Sequence, residues 1–152
     1  MKKIKVINKT RLLAIKDNSI LVMEKVGTPI KLCFPGGIAK KKETLKESLV
    51  RETKEEIGFK ININDLKFFK SKSKTIDNTI VVKHFYKLKT NSDAFKVIEI
   101  EKFKAVYWIK WKDAIQYLDK EDRKVTKEYF AKKVRNKSKL LKIIEKGLFL
   151  NK

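Results

Sequence analysis

Residues 37–59 read GIAKKKETLKESLVRETKEEIGF. Thr44 and Glu47 stand three apart before an apolar-periodic run, the spacing of a capping box, and Gly58 offers a left-handed stop. These marks predict a helix from about Leu45 to Ile57. Leu45, Leu49, Thr53 and Ile57 recur every fourth residue and form its core-facing stripe. On a wheel turning about 100° per residue, Glu52, Glu55 and Glu56 share an arc of about 100°, with Arg51 about 40° beyond Glu55. The i, i+3, i+4 spacing puts neighbouring Cβ atoms about 5–6 Å apart. Like charges so close raise one another's pKa unless something counters them. Glu56 also falls close to Leu49 on the wheel, so it borders the apolar stripe and needs a counter-charge or hydrogen bonds. Two resolutions fit the spacing. Arg51 or Lys54 neutralises the acids on a solvated face, or a hard divalent cation binds, taking oxygen ligands and keeping waters for a phosphate.

Outward from this helix the chain reads as strands. Upstream, Ile4 to Ile15 and Ile20 to Met23 flank the turn signal Asp17-Asn18-Ser19, which predicts a hairpin. Leu32-Cys33-Phe34 is a short strand candidate closed by Pro35-Gly36-Gly37, a turn that lets backbone approach a ligand. Downstream, residues 61–90 read as two long strands around Asp77-Asn78, followed by a polar loop at about Thr90 to Asp93. Ala105 to Ile109 is a further strand; Lys112 to Leu118 and about Asp122 to Lys146 read as helices. No repeat and no Gly/Ser/Pro linker divides the 152 residues. The expectation is one domain over 1–152, an α/β fold with a mixed sheet covered by helices, ending in a basic helical segment from about 121.

The chain carries 39 Lys and Arg against 18 Asp and Glu, a net charge of +21, and only four of the cations are arginine. Such a charge invites a nucleic-acid reading. Against it, base readers favour arginine for its bidentate fork, and lysine spread over a whole chain also follows from a coding bias. Residues 37–59 are the near-neutral stretch, so acids gather there amid surroundings able to draw in an anionic substrate. One cysteine, Cys33, excludes an intramolecular disulfide and a Cys-based zinc site, and reads as a small buried apolar residue. No window nears the ~20 apolar residues of a membrane span, and the N-terminus lacks a signal-peptide core, so a cytoplasmic setting is expected. His84, the one histidine, reads as a strand residue rather than a base. Trp108 and Trp111 read as core and helix-start residues. The segment from Asp122, with Val125, Tyr129, Phe130, Val134, Leu141 and Ile144 among lysines, reads as a packing helix or as a contact for a phosphate backbone.

The spacing Gly37, five residues, Glu43, seven residues, Arg51-Glu52-Thr53-Lys54-Glu55-Glu56-Ile57-Gly58-Phe59 resembles the Nudix box, G-x5-E-x7-R-E-U-x-E-E-x-G-U, with U a bulky apolar residue. Thr53 alone departs, standing where an aliphatic residue is usual; its hydroxyl would bond the carbonyl one turn back. The box covers 23 of 152 residues, and the flanking layout is similar to the family. The resemblance to the MutT-like Nudix hydrolases implies an α/β/α sandwich. It implies hydrolysis of a phosphoanhydride in a nucleoside diphosphate linked to another moiety, with magnesium or manganese offsetting phosphate charge and helping to generate the nucleophile. Carried over, Glu52, Glu55 and Glu56 are the metal carboxylates, and Gly37 offers its backbone carbonyl. Glu43 assists the metal site or holds Arg51, and Arg51 orients the glutamates. Glu52 is a candidate base. Glu101 is the candidate for a further metal acid, with Glu99 its rival. ADP-ribose-cleaving relatives often carry a proline after the box, whereas Pro29 and Pro35 both precede it. Dinucleoside-polyphosphate hydrolases often carry a tyrosine soon after it, and the first here is Tyr86. A nucleoside triphosphate or related nucleotide is the leading substrate reading. The 5′ triphosphate end of RNA and a non-catalytic nucleic-acid-binding module are the alternatives. Oligomeric state is not legible.

Overall fold

The computed structural model describes residues 2–150, with side chains through Gly147; residues 1, 151 and 152 of the expected domain lie outside the described residues. Six strands and three helices follow in the order β1 (Lys5–Lys16), β2 (Ser19–Lys25), β3 (Leu32–Cys33), α1 (Leu45–Ile57), β4 (Lys67–Ile76), β5 (Thr79–Lys89), β6 (Phe103–Lys110), α2 (Trp111–Ala114) and α3 (Lys120–Leu150). All six strands join one sheet, ordered β3-β2-β1-β5-β4, with β6 on β2. β1 and β5 run parallel and the other pairs antiparallel, so the sheet is mixed.

The apolar runs at Leu12–Ile15 and Ile20–Met23 are continuous because the sheet is covered on both faces. Leu12, Ala14, Leu21 and Met23 point to the α1 side, with Leu49 and Ile57. The alternate residues Leu13, Ile15, Ile20 and Val22 point to the other side, against Ala114, Val125 and Phe130. The result is helix, sheet, helix.

β1 and β2 pair only beside their turn, through Ile15↔Ile20 and Lys16↔Ser19, and then part. The vacated edge of β1 is taken by the chain leaving β3. Leu12 N–H donates to Pro35 O, Thr10 N–H to Gly37 O and Ala39 N–H to Asn8 O, each at 2.8 Å. Gly36 lies so close over β1 that a Cβ on it would collide with the Thr10 carbonyl. The glycine turn is thereby threaded into the sheet, facing the first turns of α1.

Three expectations need correction. The loop after β5 runs to residue 102 rather than ending near Asp93, because Phe95 and Val97 pack on the core and Lys96 and Ile98 N–H bond the Ile57 and Glu56 carbonyls (3.0 and 2.9 Å). The helix expected over Lys112–Leu118 is a single α turn followed by a 3-10 turn at Ile115–Tyr117. In α3 the packing reading holds only to Phe130; Val134, Leu141 and Ile144 are exposed. Among the described residues no helix is long and apolar enough to cross a membrane.

Candidate active site

α1 begins and ends where its caps place it. Thr44 Oγ1 accepts the Glu47 N–H at 3.1 Å, and Gly58, at φ 63°, returns its N–H to Lys54 O. Thr53 sits fully buried on the core stripe, and its hydroxyl donates to Leu49 O at 2.6 Å, one turn back. With the helix so fixed, its acidic arc faces the Pro35–Ala39 turn.

Arg51 is the hub of that arc. Its Nε and Nη2 grip both oxygens of Glu43 (3.0 and 2.7 Å), while Nη1 donates to Glu52 (3.0 Å) and Glu55 (3.3 Å) and Nη2 to Ile38 O (3.2 Å). This fork, helped by the Lys40 N–H, holds the Glu43 carboxyl down at about 2. Glu43 therefore holds Arg51, one of its two expected roles. Glu55 is more than half exposed; Glu52 is largely covered.

Glu56 lies apart from this pairing. It is 5% exposed, and its Oε1 accepts only the Gly36 N–H, at 2.8 Å. Burial pushes its carboxyl up to about 8, with the charges of Glu52 and Glu99 adding to the rise. Glu52 presses its carboxylate against Gly37 so closely that a Cβ there would overlap it. Hard oxygen donors, one buried with no cation within ion-pair distance among the described residues, fit magnesium or manganese far better than a soft metal. Among the described residues no three acids are gathered into a ready cage; Arg51 takes Glu52 and Glu55, and the Gly36 N–H takes Glu56.

Glu52 and Glu56 open into a cleft of about 380 Å³, walled by Arg11, Lys25, Lys102, Phe34 and Cys33, with Asp119 and Asp122 also on its lining. Burial pushes the Cys33 thiol up to about 12, so it is inert. Glu55 instead lines a separate shallow hollow with Glu99. Of the two further acids, the structure brings Glu99 to the cluster and leaves Glu101 exposed outside it: the 94–102 loop is laced to the end of α1, Glu99 N–H reaching Glu56 O at 3.4 Å. The Gly37 carbonyl already accepts the Thr10 N–H; among the described residues no backbone N–H reaches the Gly36 carbonyl, which is the more available oxygen.

Sequence reasoning missed the cations of the cleft and the trio Lys83, Asp119 and Asp122. Lys83 Nζ reaches Asp119 at 2.8 Å and Asp122 at 3.4 Å. Asp119 accepts the Asp122 N–H at 2.9 Å and caps α3, so the pair Asp119-x-x-Asp122 was a local signal of that helix start. His84 bonds Ser71 and Asn8 across the sheet, away from the cleft, and Trp111 stacks flat on Phe130 at 4.8 Å.

A NUDIX domain matches residues 6–129. Two solved structures share the fold. A MutT Nudix hydrolase from Burkholderia pseudomallei is 19% identical, with 81% of this chain and 97% of that one covered and a TM-score of 0.70. A MutT protein from Methanosarcina mazei Go1 is 15% identical, covering 88% and 99%, also at 0.70. An ADP-ribose pyrophosphatase of Methanocaldococcus jannaschii is 49% identical over 45 residues, 28% of this chain, and the match spans only 27% of that relative. The box, the sandwich around it and a family match over most of the sequence agree: this chain belongs to the Nudix family.

Proposed function

We propose that this chain is a divalent-metal-dependent pyrophosphohydrolase, cleaving a phosphoanhydride in a nucleoside diphosphate linked to another moiety, foremost a nucleoside triphosphate or related nucleotide. The observation that carries this reading is the cleft in which the buried Glu56 and Glu52 open beside Arg11, Lys25 and Lys102. Acids and cations on one lining suit a phosphate chain bridged to the protein by a cation. Glu52, Glu55 and Glu56 would hold magnesium or manganese, with a carbonyl from Gly36 or Gly37 and with Glu99 in the place expected of Glu101. Glu43 acts on this site only through Arg51. When bound, the ion neutralises phosphate charge and makes the attacking water more acidic.

The chain's own residues do the rest. Arg51 fixes the directions of Glu52 and Glu55, so neither reorients as charge develops. Glu52, which lines the cleft, would take the proton of the attacking water. Lys25, Lys102 and Arg11 bind phosphate oxygens that carry no metal. A single, half-buried thiol belongs with a cytoplasmic setting in this reading. The Methanocaldococcus relative adds ADP-ribose to the substrates worth testing. RNA bearing a 5′ triphosphate is the second reading, favoured by the chain's net charge of +21.

The test is a panel of nucleoside triphosphates, ADP-ribose, dinucleoside polyphosphates and 5′-triphosphorylated RNA, each with magnesium and with manganese. Turnover of a free nucleotide is expected. Glu55→Gln and Glu56→Gln should each lower it about 100-fold or more while circular dichroism stays unchanged. No turnover of any substrate, or full activity in both variants, would overturn the assignment.

A further inference from the structure

The cleft is not the most basic concavity on the molecule. At the opposite end of the sheet, where β1 and β5 finish and β4 begins, α3 leaves the body. Three depressions of about 310, 250 and 630 Å³ meet there and share Lys89. Their cations are Lys16, Lys67, Lys87, Lys89, Lys132 and Lys133. Lys16 lies 3.8 Å from Asp93. Among the described residues the other five have no carboxylate within ion-pair distance, and the nearby Glu128 is occupied by Lys70 and Lys72. Asp17 and Asp65 are the acids on the walls, and Lys133 spends one bond on the Asp17 carbonyl (3.1 Å).

Five exposed or half-exposed cations, without an acidic partner among the described residues, line these joined depressions, and a polyanion can meet them together. The floor of the notch narrows the choice. Phe69 and Tyr129 meet edge to face at 5.8 Å, and Lys87 stands 5.8 Å above the Phe69 ring. Tyr129 is buried beneath the floor, so the half-buried Phe69 is the ring left beside these lysines, which suits a chain of phosphates that also carries flat bases. A lipid surface fits poorly. The apolar face of the projecting half of α3 (Leu140, Leu141, Ile144) continues the stripe that buries Val125, Tyr129 and Phe130, so it looks to the side on which the body stands. A flat bilayer would meet the body first. Beyond the notch, α3 adds Arg135, Lys137, Lys139 and Lys142 before the next acid, Glu145, all exposed.

The geometry points to a binding site for single-stranded nucleic acid in this notch, separate from the hydrolytic cleft and set roughly 16 Å along α3 from Asp122, the eleven-residue step to Lys133. The site does not depend on the hydrolytic reading and is measured without turnover.

The experiment is fluorescence anisotropy of the full chain with a 12-nucleotide single strand, as RNA and as DNA, over a range of salt. Lys87→Gln, Lys89→Gln and Lys133→Gln combined should weaken binding about tenfold or more. They should also flatten the log–log salt slope by about 2, since each single-strand phosphate contact accounts for roughly 0.7. A control triple of exposed lysines elsewhere, Lys60→Gln, Lys74→Gln and Lys96→Gln, should change affinity less than about twofold, and nucleotide hydrolysis should survive the notch triple. Equal weakening by both triples would mean diffuse charge and overturn the site. So would tighter binding to a duplex of equal length, tighter binding to phosphatidylserine vesicles, or no binding to either single strand.

Discussion

Asp122 is 1% exposed, and its charge is met by Lys83 at 3.4 Å and opposed by Asp119 beside it. Burial dominates and lifts its carboxyl to about 6, against the ordinary carboxylate range it keeps in the unfolded chain. The fold therefore favours the protonated form. Its stabilising contribution is complete below about pH 4 and is lost as pH rises through 6, a loss on the order of 3 kcal/mol. Asp122→Asn should remove that slope: its urea midpoint should fall less than that of the unmodified chain between pH 4 and 7. Parallel profiles would place the burden of burial on another group. The acids of α1 were legible residue by residue, because one helix wheel sets Glu52, Glu55, Glu56 and Arg51 together. The cations of the cleft were not. Arg11, Lys25 and Lys102 come from β1, β2 and the loop before β6, and no spacing along the chain links them. That Glu99 rather than Glu101 lies beside α1 follows from backbone bonds between that loop and the end of the helix, which the sequence does not display.

At the scale of elements, α1 spans Leu45–Ile57 as expected because Thr44 and Gly58 both carry local instructions. The departure from the family pattern sits inside it. Thr53 is wholly buried and spends its hydroxyl on the Leu49 and Val50 carbonyls (2.6 and 3.2 Å). Those carbonyls keep their helical N–H partners without it, so Thr53→Val trades a redundant bond for apolar contact. Stability should rise by about 0.5–1 kcal/mol in urea unfolding, with Glu52, Glu55 and Glu56 untouched. A loss of the same size would show that the hydroxyl bond is worth more than the packing. The long loop of residues 90–102 was illegible past Asp93 for the converse reason: Phe95, Val97 and Ile98 show no period, and their places are set by contact with α1 rather than by neighbours in sequence.

Across the whole molecule, the two-sided sheet makes the body independent of the far half of α3. Residues 131–146 are all exposed, and the core on that face ends at Phe130. Stopping the chain after Arg135 should move the thermal midpoint by no more than about 3 °C, the scale of 1 kcal/mol for a domain of this size. A fall of about 10 °C would mean that the projecting half packs against something in solution. The overall charge follows the same division: a mixed sheet covered by helices was readable from strand and helix patterns, whereas the meeting of β1, β4, β5 and α3 around one basic notch follows only from the topology.

In the proposed function the carboxylates of α1 hold a divalent ion. Manganese titrated into the chain at pH 7, with free ion followed by electron paramagnetic resonance and protons by a pH indicator, tests it directly. Saturable binding with proton release is expected, since Glu56 at about 8 must give up its proton to a cation, along with a loss of affinity of about 100-fold in Glu56→Gln. Equal manganese affinity in the two proteins, with the fold intact, would contradict it.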